Sequence, residues 1–297
     1  MTSVPQALPQ QHVVVEGQQK RTRPWRGRMI LIYLVLITGA FLTVVPFVFT
    51  LSSSFKSVAE IRQVPPSFFP VNPTLDNYTT VLNDPDLPLP LFYRNSAIVA
   101  LMNVFTNLFT SSLFGYIFSK FEFPGKRVLF VFLLAQLMIP FQVTMIPGYL
   151  ILVKLGLLNN LLGLIVPSAI NPFGIFLMRQ FMKTVPDEIL DAARADGASE
   201  WRIYLQIVLP QIGPALATLG VLTFMFNWNA YLWPLIVLTE QNLRTLPIIL
   251  TWYTNAHTNQ IHLSMAASVL VMMPVLVVFV LMQRWIVQGI ALTGIKG

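Results

Sequence analysis

Asp187–Pro210 reads DEILDAARADGASEWRIYLQIVLP, a stretch dense in charge set between long apolar segments. Residues 155–178 before it, and 203–239 at and beyond its end, contain no Lys, Arg, Asp or Glu. Roughly 20 apolar residues suffice to cross the hydrocarbon core of a bilayer, so these flanks read as membrane spans. The stretch between them reads as a polar, helical insert exposed on one side of the membrane.

Four further charge-free stretches, 29–55, 95–119, 128–153 and 245–283, extend the same reading to the whole chain. Of the 297 residues, 55% are hydrophobic and 10% charged, and the mean hydropathy is +0.66. Soluble domains carry nearer a quarter of charged residues, so the composition is that of an integral membrane protein. The pattern predicts helices over 29–52, 97–119, 128–150, 160–181, 211–236 and 264–286. The expected fold class is therefore an all-α polytopic membrane protein with six transmembrane helices, which puts both termini on one side.

An excess of Lys and Arg marks cytoplasmic segments. With the N-terminus inside, the 19 basic residues divide 14 to 5. The inner set includes Arg21, Lys120, Arg127, Arg179, Arg194 and Arg202, and the outer set is Lys56, Arg62, Arg94, Lys154 and Arg244. Both termini and the Asp187–Pro210 insert then face the cytoplasm. The net charge of +7 is accounted for by basic flanks against anionic membrane lipid and calls for no nucleic acid. Residues 1–28 end in KRTRPWRGR and read as a disordered basic cytoplasmic tail before an uncleaved first helix.

Prolines 65, 66, 70, 73, 85, 88 and 90 predict an extended outer loop over 53–94, with at most short helical turns. A second outer segment runs from Glu240 to Leu263. Within the insert, Thr184 or Val185 can cap a helix with Pro186 in its first turn, placing Asp187 and Glu188 at the positive end of the helix dipole. Asp191 can pair with Arg194 at i+3, Gly197 reads as a bend, and Ser199 as the cap of a second helix beginning Glu200-Trp201. Leu209-Pro210 and then Pro214 are expected to open the fifth span.

The order D-A-A, two residues, D-G-A, and a Leu-Pro twelve residues past the glycine resembles the E-A-A loop of permease subunits in bacterial ATP-driven importers. Two more segments carry the resemblance. FNWNAYLWPL, with Asn227, Trp228, Asn229, Tyr231, Trp233 and Pro234, is similar to the W-N segment of the fifth helix in sugar-import permeases. QRWIVQGIALTGIKG, with Gln283, Arg284, Trp285, Val287, Gly289, Gly294, Lys296 and Gly297, is similar to the C-terminal ending of the same group. The chain thus resembles the carbohydrate type of ABC importer permease, in particular the maltose-system G permease, over residues 29–297.

The resemblance implies a bacterial cytoplasmic (inner) membrane location and a heterodimer with a second permease subunit. It also implies two ATP-binding subunits and an extracytoplasmic solute-binding protein. Residues 183–208 would be the coupling loop, and Asp187, Glu188, Asp191, Ala192, Ala193, Asp196, Gly197 and Ala198 would dock the ATPase. The family usually has Glu where this chain has Asp191, which keeps the charge on a shorter arm. No cofactor would be bound by this chain, because ATP and magnesium belong to the ATPase partner. In agreement, no G-x-x-x-x-G-K-[ST] loop occurs, and Gly125-Lys126 lacks both the upstream glycine and the following hydroxyl.

A sugar path would be lined by polar groups inside the spans. Asn227, Asn229 and Tyr231 are the first candidates, with Asn103, Asn107, Gln136 and Gln142 behind them. Each competes with plain interhelical hydrogen bonding, worth roughly 0.6 to 2 kcal/mol. Pro140 and Pro147 read as helix kinks.

Two other classes fit less well. Ion-coupled transporters carry ionisable groups within their spans, and the charge-free cores here hold none. A membrane-embedded enzyme needs a nucleophile and base or a metal set, but His12, His257 and His262 all lie outside the expected spans, cysteine is absent, and neither H-E-x-x-H nor G-x-S-x-G occurs. A permease for a non-sugar solute is the remaining alternative.

Overall fold

The computed structural model describes residues 26–254 and 260–294. The basic tail over residues 1–25, His12, His257, and Lys296 and Gly297 of the C-terminal motif lie outside the described residues. The chain divides into two units, 1–48 and 49–297. Within the first, the described part is the start of helix α1 (Arg26–Ser53), so Arg26-Gly27-Arg28, read from sequence as the end of the tail, are helical. Arginine is a good helix former and a single glycine is tolerated, which lets the apolar helix extend backwards.

The second unit is built of helices, and no strand occurs among the described residues. Short helices α2 (Val58–Ile61) and α3 (Asp76–Leu82) punctuate the proline-rich loop that follows α1. Helix α4 (Leu89–Lys120) begins eight residues before the expected start at 97, because Pro88 occupies its cap and Pro90 its first turn, where a missing N–H is harmless. Helices α5 (Lys126–Gln136) and α6 (Phe141–Leu155) follow, bent by 101° where Pro140 caps α6. After α7 (Leu162–Ile165) comes α8 (Pro172–Met182).

The polar insert holds α9 (Asp187–Ala195) and α10 (Glu200–Ile203), which runs through a π-turn at Tyr204–Val208 into α11 (Leu209–Gln211). An 80° bend separates this rod from α12 (Gly213–Trp228). Helices α13 (Leu232–Val237) and α14 (Ile249–Thr254) then lead into α15 (Ile261–Gly294).

Among the described residues, three helices are long and apolar enough to cross a membrane, at Met29–Ser53, Leu89–Lys120 and Ile261–Gln283, and the number rises to five where each bent pair is taken as one span. The expected continuous helix over 160–181 is instead α7, a break, and α8. The 11 residues of α8 rise about 16 Å, short of a roughly 30 Å hydrocarbon core. Asn171 accepts from the Phe173 and Gly174 amides and Pro172 follows it, a strong helix start in the middle of an apolar run.

Helix α4 is the spine of this unit, packed chiefly on α8 and α12, with α12 in turn on α15. Cross-links gather the loops at two ends. At one, Asn95 donates to the carbonyls of Asn242 and Arg244, Tyr253 to Asp84, and the Thr239 and Glu240 amides to Asn159. At the other, Lys120 reaches the polar insert and Arg179 donates to the Phe118 carbonyl.

Candidate functional site

Pro186 is itself the cap residue of α9, and the Thr184 hydroxyl donates backwards to the Phe181 carbonyl, so neither Thr184 nor Val185 caps the helix. Proline's fixed φ suits the cap position as well as the first turn. Asp187 and Glu188 lie in that first turn. Leu190 and Ala193 turn inward to the core beneath, while Ala192 and Ala195 sit between charged residues on the outside. Asp196 and Gly197 close the helix, with Gly197 at φ +80° in left-handed geometry and the Ala198 amide donating to the Ala193 carbonyl. Ser199 then caps α10 by accepting from the Arg202 amide. The result is a helix, a four-residue bend over 196–199 and a second helix, presenting Asp191, Ala192, Asp196 and Gly197 on an exposed rim.

Charge ties the two short helices together. Arg194 donates through Nη1 to Asp191 at 2.7 Å and through Nε to Glu200 at 2.6 Å. Arg194 thereby holds the Glu200 carboxyl below the usual range, and the two carboxylates raise the Arg194 guanidinium in return. At the start of α9, Lys120 donates to Asp187 at 2.6 Å and lowers its pKa.

Beyond the Arg194–Glu200 bond, the contacts to the insert that sequence reasoning missed come from one stripe of α4. The Ser112 hydroxyl meets the Tyr204 hydroxyl at 2.7 Å, the Tyr116 hydroxyl donates to Glu200 at 2.8 Å, and Lys120 reaches Asp187 and the Val185 carbonyl. Positions 112, 116 and 120 recur every four residues, which stacks them on one helical face. That polar i, i+4, i+8 series in an apolar helix is the signal a sequence carries for such a seam. Around it Tyr116, Met178, Met182, Leu190, Ile203 and Val208 form a buried core, so the insert is packed onto α4 as well as bonded to it.

The path candidates separate. Asn107 and Asn227 share a cavity of about 510 Å³ between α4, α8 and α12, with Thr223, Ser168 and Asn171 as further polar lining and no charged residue. Asn107 donates to the carbonyls of Asn103 and Ser168, and Asn227 donates to the Thr223 carbonyl. The Thr223 hydroxyl is buried and bonds to no other side chain or backbone group. Asn229 and Tyr231 lie apart, in a hollow of about 260 Å³ against α15. Trp228, within the same motif, is core: it stacks on Phe224 and donates to the Val271 carbonyl. Asn103 is fully buried and lines neither cavity, while Gln136 and Gln142 flank the 101° break and are exposed.

Comparison with known proteins shows the family. Residues 97–292 match the family described as binding-protein-dependent transport system inner membrane component. The arabinooligosaccharides transport system permease protein AraQ of Halalkalibacterium halodurans is 32% identical, over 94% of this chain and 100% of that protein. The lactose transport system permease protein LacG of Rhizobium radiobacter is 34% identical, over 86% and 93%. Among solved structures, a chain of a bacterial ABC transporter involved in the import of the acidic polysaccharide alginate superposes with a TM-score of 0.77 at 27% identity, covering 90% of this chain and 99% of that one. A helical unit with apolar spans, an exposed helix-bend-helix insert and a family match over two thirds of its length therefore belongs to the binding-protein-dependent transport system inner membrane components.

Proposed function

We propose that this chain is a permease subunit of an ATP-driven, binding-protein-dependent importer of a neutral carbohydrate, and that α9 and α10 seat in a cleft of an ATP-hydrolysing partner. It crosses the membrane six times with both termini in the cytoplasm, a topology supported by the 14 to 5 division of basic residues. A second permease completes the channel, two ATP-binding subunits hold ATP and magnesium, and a solute-binding protein delivers the sugar from outside.

One observation carries the reading: a single helix joins both working parts. Helix α4 lines the polar cavity at Asn107 and grips the insert at Ser112, Tyr116 and Lys120. The distance from Asn107 to Lys120 is about 20 Å along the helix at 1.5 Å per residue. Closure of the ATPase pair moves the insert, the insert moves α4, and the wall of the cavity moves with it, a rigid-body switch between two packings. Hydroxyl and amide groups without charge suit a neutral, hydroxyl-rich solute and not an acidic one such as alginate.

Co-purification in mild detergent tests it, followed by ATPase and uptake assays in proteoliposomes. The expected result is recovery of a second permease and an ATPase subunit, with both association and uptake lost in Gly197→Val while membrane insertion is normal. A chain that purifies alone, or a Gly197→Val variant with full uptake, rejects the coupling role. Faster uptake of an acidic oligosaccharide than of a neutral one rejects the substrate class alone.

A further inference from the structure

The turn between α4 and α5 leaves a cavity of about 620 Å³ with three cationic side chains in its wall, Lys126, Arg127 and Arg179. Its carboxylate, Glu122, is already paired with Lys126 at 2.7 Å. Arg179 is held in place through Nε on the Phe118 carbonyl and by lying 4.1 Å over the Phe130 ring. Arg127 makes no hydrogen bond or ion pair among the described residues. Two positive charges are thus left without a counterion in a preformed concavity.

An apolar hollow of about 310 Å³ continues from the same wall, sharing Arg127, Val128 and Val131 and extending to Phe132 and Ala135. Positions 128, 131, 132 and 135 follow i, i+3, i+4 and i+7, a single face of α5, and Phe132 on it is 72% exposed. The strip rises about 10 Å away from the charges. Lys126 lies six residues beyond Lys120, which binds the polar insert, and on the topology proposed above this turn is where the chain leaves the membrane on the cytoplasmic side and the strip on α5 runs back into it.

We propose that the Lys126–Arg127–Arg179 cavity and the Val128–Ala135 strip bind one anionic phospholipid, with the phosphate in the cavity and an acyl chain along the strip. Charge complementarity selects an anionic headgroup, and the contiguous apolar strip selects a lipid over a free phosphate, which has nothing to lay along it. The inference uses the membrane location of the chain and not its coupling role, so a failure of transport assays leaves it standing.

The test is native mass spectrometry of the full chain released from bilayers of equal phosphatidylglycerol and phosphatidylcholine. The expected result is one phosphatidylglycerol retained per chain in preference to phosphatidylcholine. Arg127→Gln, at an exposed side chain with no structural partner, lowers that preference about fivefold. Lys183→Gln, a cation at the same end but outside the cavity, leaves it unchanged. Equal retention of the two lipids, or an Arg127→Gln variant that retains phosphatidylglycerol normally, overturns the site. Displacement by millimolar inorganic phosphate makes it an anion site instead, and release of the lipid on addition of the second permease makes it a subunit interface; either result also overturns the proposal.

Discussion

At Gly197 the demand is purely conformational. Its φ is +80°, and a Cβ built there meets nothing within 4 Å, so substitution acts on the bend and not on packing. Left-handed geometry costs a residue with a Cβ on the order of 1 to 2 kcal/mol, less for Asn and more for a β-branched side chain. Recovery of the ATPase partner on co-purification should fall in the order Gly197, Gly197→Asn, Gly197→Ala, Gly197→Val. The two asparagines of the fifth-helix motif should also part company. Asn227→Ala alters the 510 Å³ cavity and should raise the apparent KM for sugar uptake, whereas Asn229→Ala, in the separate hollow, should leave it unchanged. These residues differ in how far the sequence reveals them. The bend, the Ser199 cap and the Asp191–Arg194 pair obey rules that span three or four positions. Which asparagine faces which cavity depends on how α12 is rotated against α4 and α15, and no local rule contains that.

Between elements, the tightest approach is α4 against α8. A Cβ on Gly174 would stand 2.3 Å from the Ser111 Oγ, and one on Gly115 would stand 2.7 Å from the Met178 Cβ and 3.0 Å from the Arg179 amide nitrogen. Gly115→Ala should force the helices apart at a cost of about 1 to 3 kcal/mol, read as a lower melting temperature of the detergent-purified chain. Gly213→Ala, where nothing lies within 4 Å, should melt like the parent. Hydropathy located the apolar segments but not their breaks, because a charge-free run scores alike whether its backbone is straight or turned. The 101° break at Pro140 and the start at Asn171-Pro172 carry proline and cap signals. The 80° bend at Ile212 is set by Pro210 and Pro214 on either side of Gly213 together with the packing of Ile212 beneath the insert.

For the whole molecule, the seam between α4 and the insert should govern how tightly hydrolysis is tied to transport. Tyr116→Phe removes the hydroxyl that donates to Glu200, and Lys120→Gln removes the cation paired with Asp187. The double variant should bind the ATPase yet hydrolyse more ATP per sugar moved, measured side by side in proteoliposomes. Protonation sets the window in which the seam holds. Asp187 and Glu200 both have depressed pKa values, so their contacts are complete above the ordinary carboxylate pKa of about 4 and are lost only as pH falls through the lower folded values. The ATP-to-sugar ratio of the parent should therefore be flat between about pH 6 and pH 8.

Ser112, Tyr116 and Lys120 attach the insert along a line, at points one helical turn apart. Three collinear fixings form an axle. The insert cannot slide along α4, because all three would shear together, and it cannot tip away from one end without parting the other two. Rolling around that axis is resisted in turn, because Leu190, Ile203 and Val208 of the insert pack in one core with Met178 and Met182 of α8, so under the proposed coupling a push on α9 would reach the cavity as torque on α4.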